Sequence, residues 1–499
     1  MEIGVPMQND RATPRTQEQV ETTVVLRRKA SGVEVTGPAT FRGGCPVPHA
    51  RERDGISGEW CWDGRRLHAR VDHLGMFPLY YAELPDGLAV STGISGLLKA
   101  GVSPHIDWAA LQILFFLGFG LGCDTAFRAI RAFPVGGVLT WTPERLEVRE
   151  QFPEIRPNSL SRPAAIDGFL ELFRSAVRKR IVAGAPIHLP LSGGRDSRHI
   201  LLELIAAGAK PACCYTSPFL TMRNDVLVAR AVCAALGVAH AEANVPEDLI
   251  ATELKKNECI AFQALEHGWT LALAQTMAHP EAVSYDGIAG DVLSAGHFHD
   301  EQNSRLYRQG RFEELARRLA PQPQLPLLPA RWREAVAAAD PRQPLIRELL
   351  RYRHTHNPMM FFYLWNRSRR AVSPTIQGLY GRFLRAVYAP FLDRDVFDFL
   401  SGLPEEMFAD KQFHTQAIAR AFPEVAAIPF ASKTPISRPL SRRYALSGLR
   451  FLLGAPASPL LDRQGALLRF ARSLVDPRHA ADAYWVLHQA VMLCQLGRL

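Results

Sequence analysis

The residues with the clearest chemical potential in this sequence are Ser192-Gly193-Gly194-Arg195-Asp196-Ser197. Two adjacent glycines let the backbone approach a ligand closely, and the two serines add hydroxyl donors. A carboxylate in such a loop would repel a bare phosphate. Asp196 is therefore suited to hold a Mg²⁺ ion that a phosphate also binds. This combination predicts a loop for a magnesium-bound nucleotide.

The elements on either side would position this loop. Ile187 to Leu191 is a short apolar run, typical of a buried strand in a parallel sheet. From Arg198 onward the residues follow a helical pattern, and Gly208 is placed to end the helix. A strand, a glycine-rich loop and a helix N-terminus form an anion site because the helix dipole and free N–H groups favour negative charge. The simpler alternative is a turn between a core strand and a helix.

Composition and charge are those of an ordinary globular protein. The chain has 499 residues, of which 47% are hydrophobic and 21% charged, values usual for soluble domains. The net charge of +9 is a mild excess for this length. Basic runs such as Arg178-Lys179-Arg180 and Arg367 to Arg370 are predicted to lie on solvated faces or at helix ends. We therefore expect no nucleic-acid partner.

Cysteine spacing and apolar runs exclude further classes. The eight cysteines form no CxxC pair, and no Cys/His cluster has zinc spacing. The first residues are polar and carry no signal peptide. The longest apolar run, Leu111 to Leu121, is too short for a membrane span. We expect a cytoplasmic protein with reduced thiols and no membrane partner.

The pattern of elements predicts an α/β protein. Residues 1–20 are expected to be a disordered arm, residues 21–156 a β-rich domain, and residues 157–499 a second domain with a helical C-terminal part. In the second domain, predicted strands alternate with helices, including a helix over Ile260 to His279 and a strand over Glu281 to Tyr285. This alternation predicts a doubly wound parallel sheet with its ligand at the carboxyl ends of the strands.

The SGGxDS pattern of Ser192 to Ser197 resembles the pyrophosphate-binding loop of ATP pyrophosphatases, which cleave ATP to AMP and pyrophosphate. A second segment, Asp286 to Asp291, resembles the second loop of the asparagine synthetase family. There Asp291 falls on a second Mg²⁺ ligand, and Gly287 leaves room for the adenine or ribose. Lys433 falls where the family places a lysine that stabilises the transferring phosphate. The alternatives are a glycine turn and a surface lysine.

The β-rich domain is similar to the glutaminase domain of the same family. Asp72-His73-Leu74-Gly75, Pro78-Leu79-Tyr80-Tyr81 and Ala89-Val90-Ser91-Thr92 occupy the places of a family turn and two strands. The family's nucleophile is a cysteine at the mature N-terminus, whose own amine serves as base. This sequence begins Met1-Glu2. We therefore expect an Ntn-type remnant that hydrolyses no glutamine and serves as a scaffold or substrate surface.

Two positions depart from the family pattern. Ile288 falls where the family has an acidic residue and its β-lactam-forming relatives have a tyrosine used in proton transfer. Ala386 falls where the family has an acid before a Pro-Phe-Leu-Asp segment. Because isoleucine cannot transfer a proton, an active enzyme would need its base elsewhere. Tyr285, Asp286 and residues downstream of them are all candidates.

The resemblance implies specific roles for individual residues. Asp196 and Lys433 are expected to be catalytic, and Asp196 and Asp291 to bind magnesium. The residues expected to bind ATP are Leu191, Ser192, Gly193, Gly194, Arg195, Asp196, Ser197, Ser217 and Gly287.

The function implied by the resemblance is that of an ATP-dependent ligase, which uses ATP and Mg²⁺ to adenylate a carboxylate and forms an amide with an amine. We favour a peptide-tailoring cyclase of the lasso type, acting on a ribosomal precursor peptide with a partner protease or leader-binding protein. One alternative is asparagine synthesis from ammonia or glutamine. The other is a nucleotide-binding pseudoenzyme that serves as a scaffold. The choice among them is analogy within a fold family.

Overall fold

In the computed structural model, a β-rich N-terminal region precedes a helix-rich C-terminal region that is built on a parallel sheet. The predicted arm, residues 1–20, and Lys433 lie outside the residues that the structure describes. The described residues are 21–47, 54–218, 224–244, 249–265, 267–320, 325, 327–431, 442–454, 456–476 and 482–499.

Two antiparallel sheets form the N-terminal region. Their strands are β1 Thr23–Lys29, β2 Gly32–Thr36, β3 Thr40–Pro46, β4 Gly55–Trp62, β5 Leu67–Val71, β6 Tyr80–Leu84, β7 Gly87–Ser91, β8 Arg131–Ala132, β9 Val138–Trp141 and β10 Leu146–Arg149. One sheet has the order β2-β1-β7-β6-β8 and the other β10-β9-β5-β4-β3. Val24 and Val90 of the first share a core with Trp60 and Ala69 of the second. β4 and β5 alternate more and less buried side chains, as expected for strands with one packed face, whereas β7 is buried along its whole length.

The C-terminal region is organised around parallel strands. They are β11 His188–Pro190, β12 Cys213–Thr216, β13 His240–Glu242, β14 His279–Tyr285 and β15 Leu384–Tyr388. β11, β12 and β13 are neighbours in one sheet and β14 and β15 in another, with all pairs parallel. A parallel bridge between Ile187 and Val283 joins the two. The strand order is therefore β13-β12-β11-β14-β15, which confirms the predicted doubly wound arrangement. The chain adds β12 and β13 on one side of β11 and β14 and β15 on its other side, so the strand order, but not the strand direction, reverses between β11 and β14.

Helices cover the parallel strands and build the C-terminal part. None of those that the structure describes is long and apolar enough to cross a membrane. Between α13 and α14 the chain forms a π-helix, Leu364–Val372. The α-helices are α1 Ile94–Lys99, α2 Trp108–Leu117, α3 Arg162–Arg178, α4 Asp196–Ala206, α5 Asp225–Leu236, α6 Leu249–Cys259, α7 Trp269–Thr276, α8 Gly290–Leu293, α9 Glu301–Arg308, α10 Phe312–Leu319, α11 Arg333–Ala338, α12 Arg342–Leu350, α13 Pro358–Tyr363, α14 Ser373–Tyr380, α15 Arg394–Ser401, α16 Phe413–Ala421, α17 Arg442–Gly454, α18 Arg463–Val475 and α19 Asp482–Leu496.

The predicted helix over residues 260–279 is wrong in its first half. Only α7 is helical there, because Ala261, Phe262 and His267 have positive φ angles of 54°, 60° and 80°. Ala264 pairs with Phe119 of the N-terminal region in an isolated bridge. The apolar residues of this segment are buried between the two regions. Burial on all sides imitates the apolar pattern of a core helix, which explains the error.

Three arginines of the two basic runs are buried, which the sequence did not predict, whereas Arg178 is exposed in the last turn of α3, as predicted. Arg180, Arg369 and Arg370 are buried, at 1%, 4% and 2% exposure. Arg180 donates to Asp393 and to Asp54, at 2.5 and 3.1 Å. A buried guanidinium has five donors to satisfy, so these arginines act as internal cross-links and do not lie on a solvated face.

Candidate active site

The glycine-rich loop lies where β11 ends and α4 begins, at the point where the strand order reverses. Leu191 N–H donates to Tyr215 O at 2.8 Å, which extends the parallel pairing to the edge of the loop. Within the loop, Ser192 Oγ accepts from Gly194 N–H at 3.1 Å, and Ser197 Oγ accepts from Ser192 N–H at 3.1 Å. In open parallel sheets, ligands bind at the carboxyl ends of the strands beside such a reversal. The loop is therefore in the expected place for a ligand.

Gly193 is held from two sides. Its N–H donates to Asp225 Oδ1 at 2.7 Å, and its carbonyl accepts from Ala431 N–H at 2.8 Å. A Cβ at this position would lie 2.4 Å from the Ala431 Cβ. Asp225 is the first residue of α5, so its carboxylate links the starts of two helices. A position at a helix start is one signal of this role in the sequence.

Three carboxylates gather at the same edge of the sheet. Asp196 is the first residue of α4. A Cβ added to Gly287 would lie 2.8 Å from the Asp196 Cβ, and a Cβ added to Gly290 would lie 2.7 Å from the Asp196 Cγ. The two loops thus touch and leave no space for further side chains. Burial raises the pKa of the Asp286 carboxyl to about 7, and the nearby carboxylates of Asp196 and Asp291 add to the rise. The edge is acidic and needs a cation.

Asp291 already faces a cation of the chain itself. Arg367 Nη1 lies 3.0 Å from Asp291 Oδ2, and both side chains are partly exposed, at 26% and 29%. The guanidinium carbon of Arg367 also lies 4.8 Å from the ring centroid of Phe298. Sequence reasoning missed Arg367 because its basic run was assigned to a solvated face. Arg367 lies on the π-helix, and π-helical turns often occur at functional sites in proteins. This signal is visible in the structure and not in the sequence.

A pair of buried imidazoles lies behind Asp196. His414 Nδ1 is 3.3 Å from Asp196 Oδ1 and 3.0 Å from Ser294 Oγ, and His414 Nε2 is 3.1 Å from His199 Nδ1. Burial lowers the pKa of His199 to about 4 and that of His414 to about 3. Both imidazoles are therefore neutral near pH 7. Neither histidine belonged to the predicted site.

The remaining predicted site residues have more varied surroundings. Arg195 Nε donates to Thr415 Oγ1 at 2.6 Å, and its guanidinium lies over the ring of Phe430, so it points toward α16. Ser217 directly follows β12 at the edge of the sheet that carries the loop. Lys433 lies outside the described residues, so its predicted role is a matter for experiment.

The two positions that depart from the family pattern, Ile288 and Ala386, belong to the packed core and to a strand of the sheet. Ile288 is 2% exposed and belongs to the main core. Ala386 is part of β15, where it is paired with Val283. Tyr285, one candidate base, is buried and donates its hydroxyl hydrogen to Arg180 O at 2.8 Å. Asp286 is the candidate that lies among the acidic residues of the site.

The donor set fits magnesium carried by a nucleotide. Carboxylate oxygens are the ligands that Mg²⁺ prefers, and it usually keeps waters and binds substrate phosphates as well as one or two carboxylates. Among the described residues, no group of three or more His, Cys, Asp or Glu side chains is arranged to hold an ion by itself. Asp196 and Asp291 would hold the ion, and the phosphates would supply the other oxygens.

A cavity of about 900 Å³ has walls from the β-rich region, the residues that follow it and α15. None of the residues of the glycine-rich loop lines it. Its charged side chains include both acids and arginines, so it does not favour ligands of one charge. The lining residues are His73, Gly136, Gln151, Phe152, Pro153, Glu154, Arg156, Arg394, Asp395 and Asp398.

Comparison with known proteins gives one match over most of the C-terminal region. A family model described as asparagine synthase matches residues 168–455, more than half of the chain. Two curated relatives are each 28% identical over 160 residues. One is the amidase chyE of Penicillium rubens, and the match covers 30% of this chain and 23% of the relative. The other is asparagine synthetase (glutamine-hydrolyzing) 3 of Bacillus subtilis, with 31% and 26% covered.

These matches differ in extent. The chain spans about a quarter of the length of the two curated relatives. Among solved structures, the glutamine phosphoribosylpyrophosphate amidotransferase of B. subtilis, complexed with ADP and GMP, is 10% identical, with a TM-score of 0.14. That match covers 48% of this chain and 44% of the other. A TM-score this low supports no statement about a shared fold.

Proposed function

The chain belongs to the asparagine synthase family, and from that premise we propose that it is an ATP-dependent carbon–nitrogen ligase. In this proposal a carboxylate is activated as an acyl-adenylate and then joined to an amine. The observation that carries the proposal is the meeting of the SGGRDS loop and the second acidic loop at the reversal of the parallel sheet, where Asp196 contacts Gly287 and Gly290. That edge is the usual ligand site of such sheets.

The proposed roles follow from position and chemistry. Ser192, Gly193, Gly194 and Ser197 would bind the β- and γ-phosphates at the start of α4, where the helix dipole favours anions. Leu191, Arg195, Ser217 and Gly287 would complete the nucleotide site. Asp196 and Asp291 would hold Mg²⁺, which neutralises phosphate charge when bound. Lys433 would stabilise the negative charge of the leaving pyrophosphate or AMP.

The loop must also rearrange to bind phosphate. In the structure, the N–H of Gly193 donates a hydrogen bond to Asp225 Oδ1, and the N–H of Gly194 donates one to Ser192 Oγ. A phosphate would have to replace these internal acceptors. Ser192 Oγ also lies 3.2 Å from Ser197 Oγ, but it belongs to a short side chain that turns about a single bond. We therefore expect the N–H of Gly194 to be released more readily than that of Gly193.

The proposed reaction has two steps. An oxygen of the substrate carboxylate attacks the α-phosphorus of ATP, and the bond to the bridging oxygen breaks, so that pyrophosphate leaves with the electron pair. The amine nitrogen then attacks the acyl carbon, the bond to AMP breaks, and a base accepts the proton of the amine. Asp286 is suited to accept this proton because its raised pKa of about 7 lies near neutral pH.

Within this class we propose a peptide cyclase, in which the amine and the carboxylate belong to one precursor peptide. The support is the departure at Ile288, which removes the acid or tyrosine of other branches and points to a specialised substrate. The N-terminal region would then serve as a scaffold or substrate surface without glutaminase activity. A partner protease or leader-binding protein would deliver the peptide.

Product analysis separates the cyclase from its alternatives. We would incubate the protein with Mg·ATP and a precursor peptide containing an Asp or Glu side chain, then identify nucleotides and peptide mass. The cyclase produces AMP, pyrophosphate and a peptide lighter by one water without an added amine. Conversion of aspartate to asparagine with ammonia or glutamine would instead identify an asparagine synthetase. ATP binding without turnover of either substrate would identify a scaffold.

A further inference from the structure

An ion pair lies at the acidic edge of the site. Arg367 Nη1 contacts Asp291 Oδ2 at 3.0 Å, and this pair lies beside the carboxylates of Asp196 and Asp286. Asp291 is the residue proposed to bind magnesium, and the guanidinium holds a positive charge against one of its two carboxylate oxygens. A divalent cation at the same carboxylate would be repelled by that charge, so the guanidinium and the metal compete for Asp291.

We propose that Arg367 is the internal counter-ion of Asp291 in the metal-free protein, and that a divalent cation displaces its guanidinium when the Mg·nucleotide binds. This inference rests on the proposed metal site and adds its regulation. The exchange keeps the acidic edge neutralised in both states. In the absence of nucleotide, the protein would bind a metal at Asp291 more weakly than the same carboxylates would without Arg367.

The surroundings of Arg367 allow its side chain to move while its backbone stays in place. The π-helix is fixed by neighbours on its buried side: Asn366 Oδ1 accepts from Gly122 N–H at 2.8 Å, and Arg369 Nη1 donates to Phe133 O at 2.7 Å. The Arg367 side chain, in contrast, is 26% exposed. Water and ions therefore reach the pair.

Phe298 gives the displaced guanidinium a second partner. The guanidinium carbon lies 4.8 Å from the Phe298 ring centroid, within the range of a cation–π contact. An arginine that loses its carboxylate can keep this aromatic contact and turn its free donors toward the phosphates at the same edge. Guanidinium groups bind phosphate and carboxylate through the same planar fork, which suits such an exchange.

Binding of Mn²⁺ without nucleotide tests the proposal directly, with free Mn²⁺ measured by electron paramagnetic resonance. We expect Arg367→Gln to bind Mn²⁺ about fivefold more tightly than the wild type, since a partly exposed pair of this kind contributes up to about that factor. Arg305→Gln is the matched control, because Arg305 also pairs with an acid, Glu301, but on an exposed helix face. It removes the same charge and should leave the affinity unchanged. Asp291→Asn should weaken binding.

Each other outcome overturns a defined part of the account. Equal Mn²⁺ affinity in Arg367→Gln and Arg305→Gln would show that the guanidinium does not compete with the metal, while the metal site itself stands if Asp291→Asn binds weakly. Unchanged affinity in Asp291→Asn would overturn both the metal site and this inference. Arg367→Met, which keeps a long unbranched side chain without the charge, is a second neutral variant and must tighten binding in the same way.

Discussion

At the loop after β11, two adjacent glycines have different reasons to lack a side chain. A Cβ on Gly193 would lie 2.4 Å from the Ala431 Cβ and 3.0 Å from Asp225 Oδ1. Both groups are bonded to Gly193 through its backbone, so neither can move without opening the loop. A Cβ on Gly194 would meet Ser192 Oγ at 3.0 Å, and this hydroxyl can rotate away. The requirement for glycine is therefore stricter at the first position.

This difference predicts unequal effects of two similar substitutions. Gly193→Ala should lower the free energy of unfolding by about 1–3 kcal/mol, as expected for overpacking a tight site. It should also weaken binding of an ATP analogue. Gly194→Ala should change the free energy of unfolding by less than about 0.5 kcal/mol. Denaturant unfolding of both variants checks this, and equal destabilisation would contradict the assigned contacts.

At the scale of elements, the two buried imidazoles join α4 to α16 behind the loop. Ser294 Oγ lies 2.8 Å from Gly290 O, which takes its hydrogen, so His414 Nδ1 must donate its own hydrogen to Ser294 Oγ. His414 Nε2 then accepts from His199 Nδ1. The pair thus lies against Asp196, with His414 Nδ1 3.3 Å from Asp196 Oδ1, without adding a charge to the site.

The neutral histidines make the protein sensitive to acid. Their pKa values in the folded state, about 4 for His199 and about 3 for His414, lie below the value of about 6.5 in an unfolded chain. Between these values the unfolded chain binds more protons, so stability falls as the pH falls from 6.5 toward 4. The slope reaches about 1.4 kcal/mol per pH unit for each imidazole.

A double variant isolates this contribution. His199→Leu/His414→Leu should show a smaller loss of unfolding free energy between pH 6.5 and 5 than the wild type. Asp286 has a raised pKa and acts with the opposite sign over the same range, but it is present in both proteins and cancels in the comparison. Identical pH profiles of stability would show that these histidines are charged in the folded state.

At the scale of the whole molecule, the active edge depends on packing between the two regions. Arg370 on the π-helix donates to Gly122 O and Asp124 O of the N-terminal region, and Arg369 donates to Phe133 O. The same π-helix carries Arg367, which contacts Asp291. Burial lowers the pKa of Arg370 to about 10, so it remains charged at neutral pH. The N-terminal region thus fixes the helix that supplies a site residue.

Distance along the chain explains which parts of the site the sequence could predict. The strand, loop and helix around Asp196 are contiguous, so residue pattern alone places them. Arg367 and Asp291 are 76 positions apart, and His414 and His199 are 215 positions apart. Their pairing depends on how the π-helix and α16 pack against the sheet. No local sequence pattern encodes this packing. The error over residues 260–268 has the same origin, because burial between regions replaced helix periodicity.

The central claim, that this edge adenylates a carboxylate, is tested most directly by exchange of labelled pyrophosphate into ATP. The panel of carboxylates would include aspartate, glutamate and a precursor peptide, and Glu301→Gln, an exposed acid, is the control for Asp196→Asn. We predict exchange with one class of carboxylate in the wild type and the control, and none in Asp196→Asn. Exchange that persists in Asp196→Asn, or ATP binding without exchange for every carboxylate, would contradict the account.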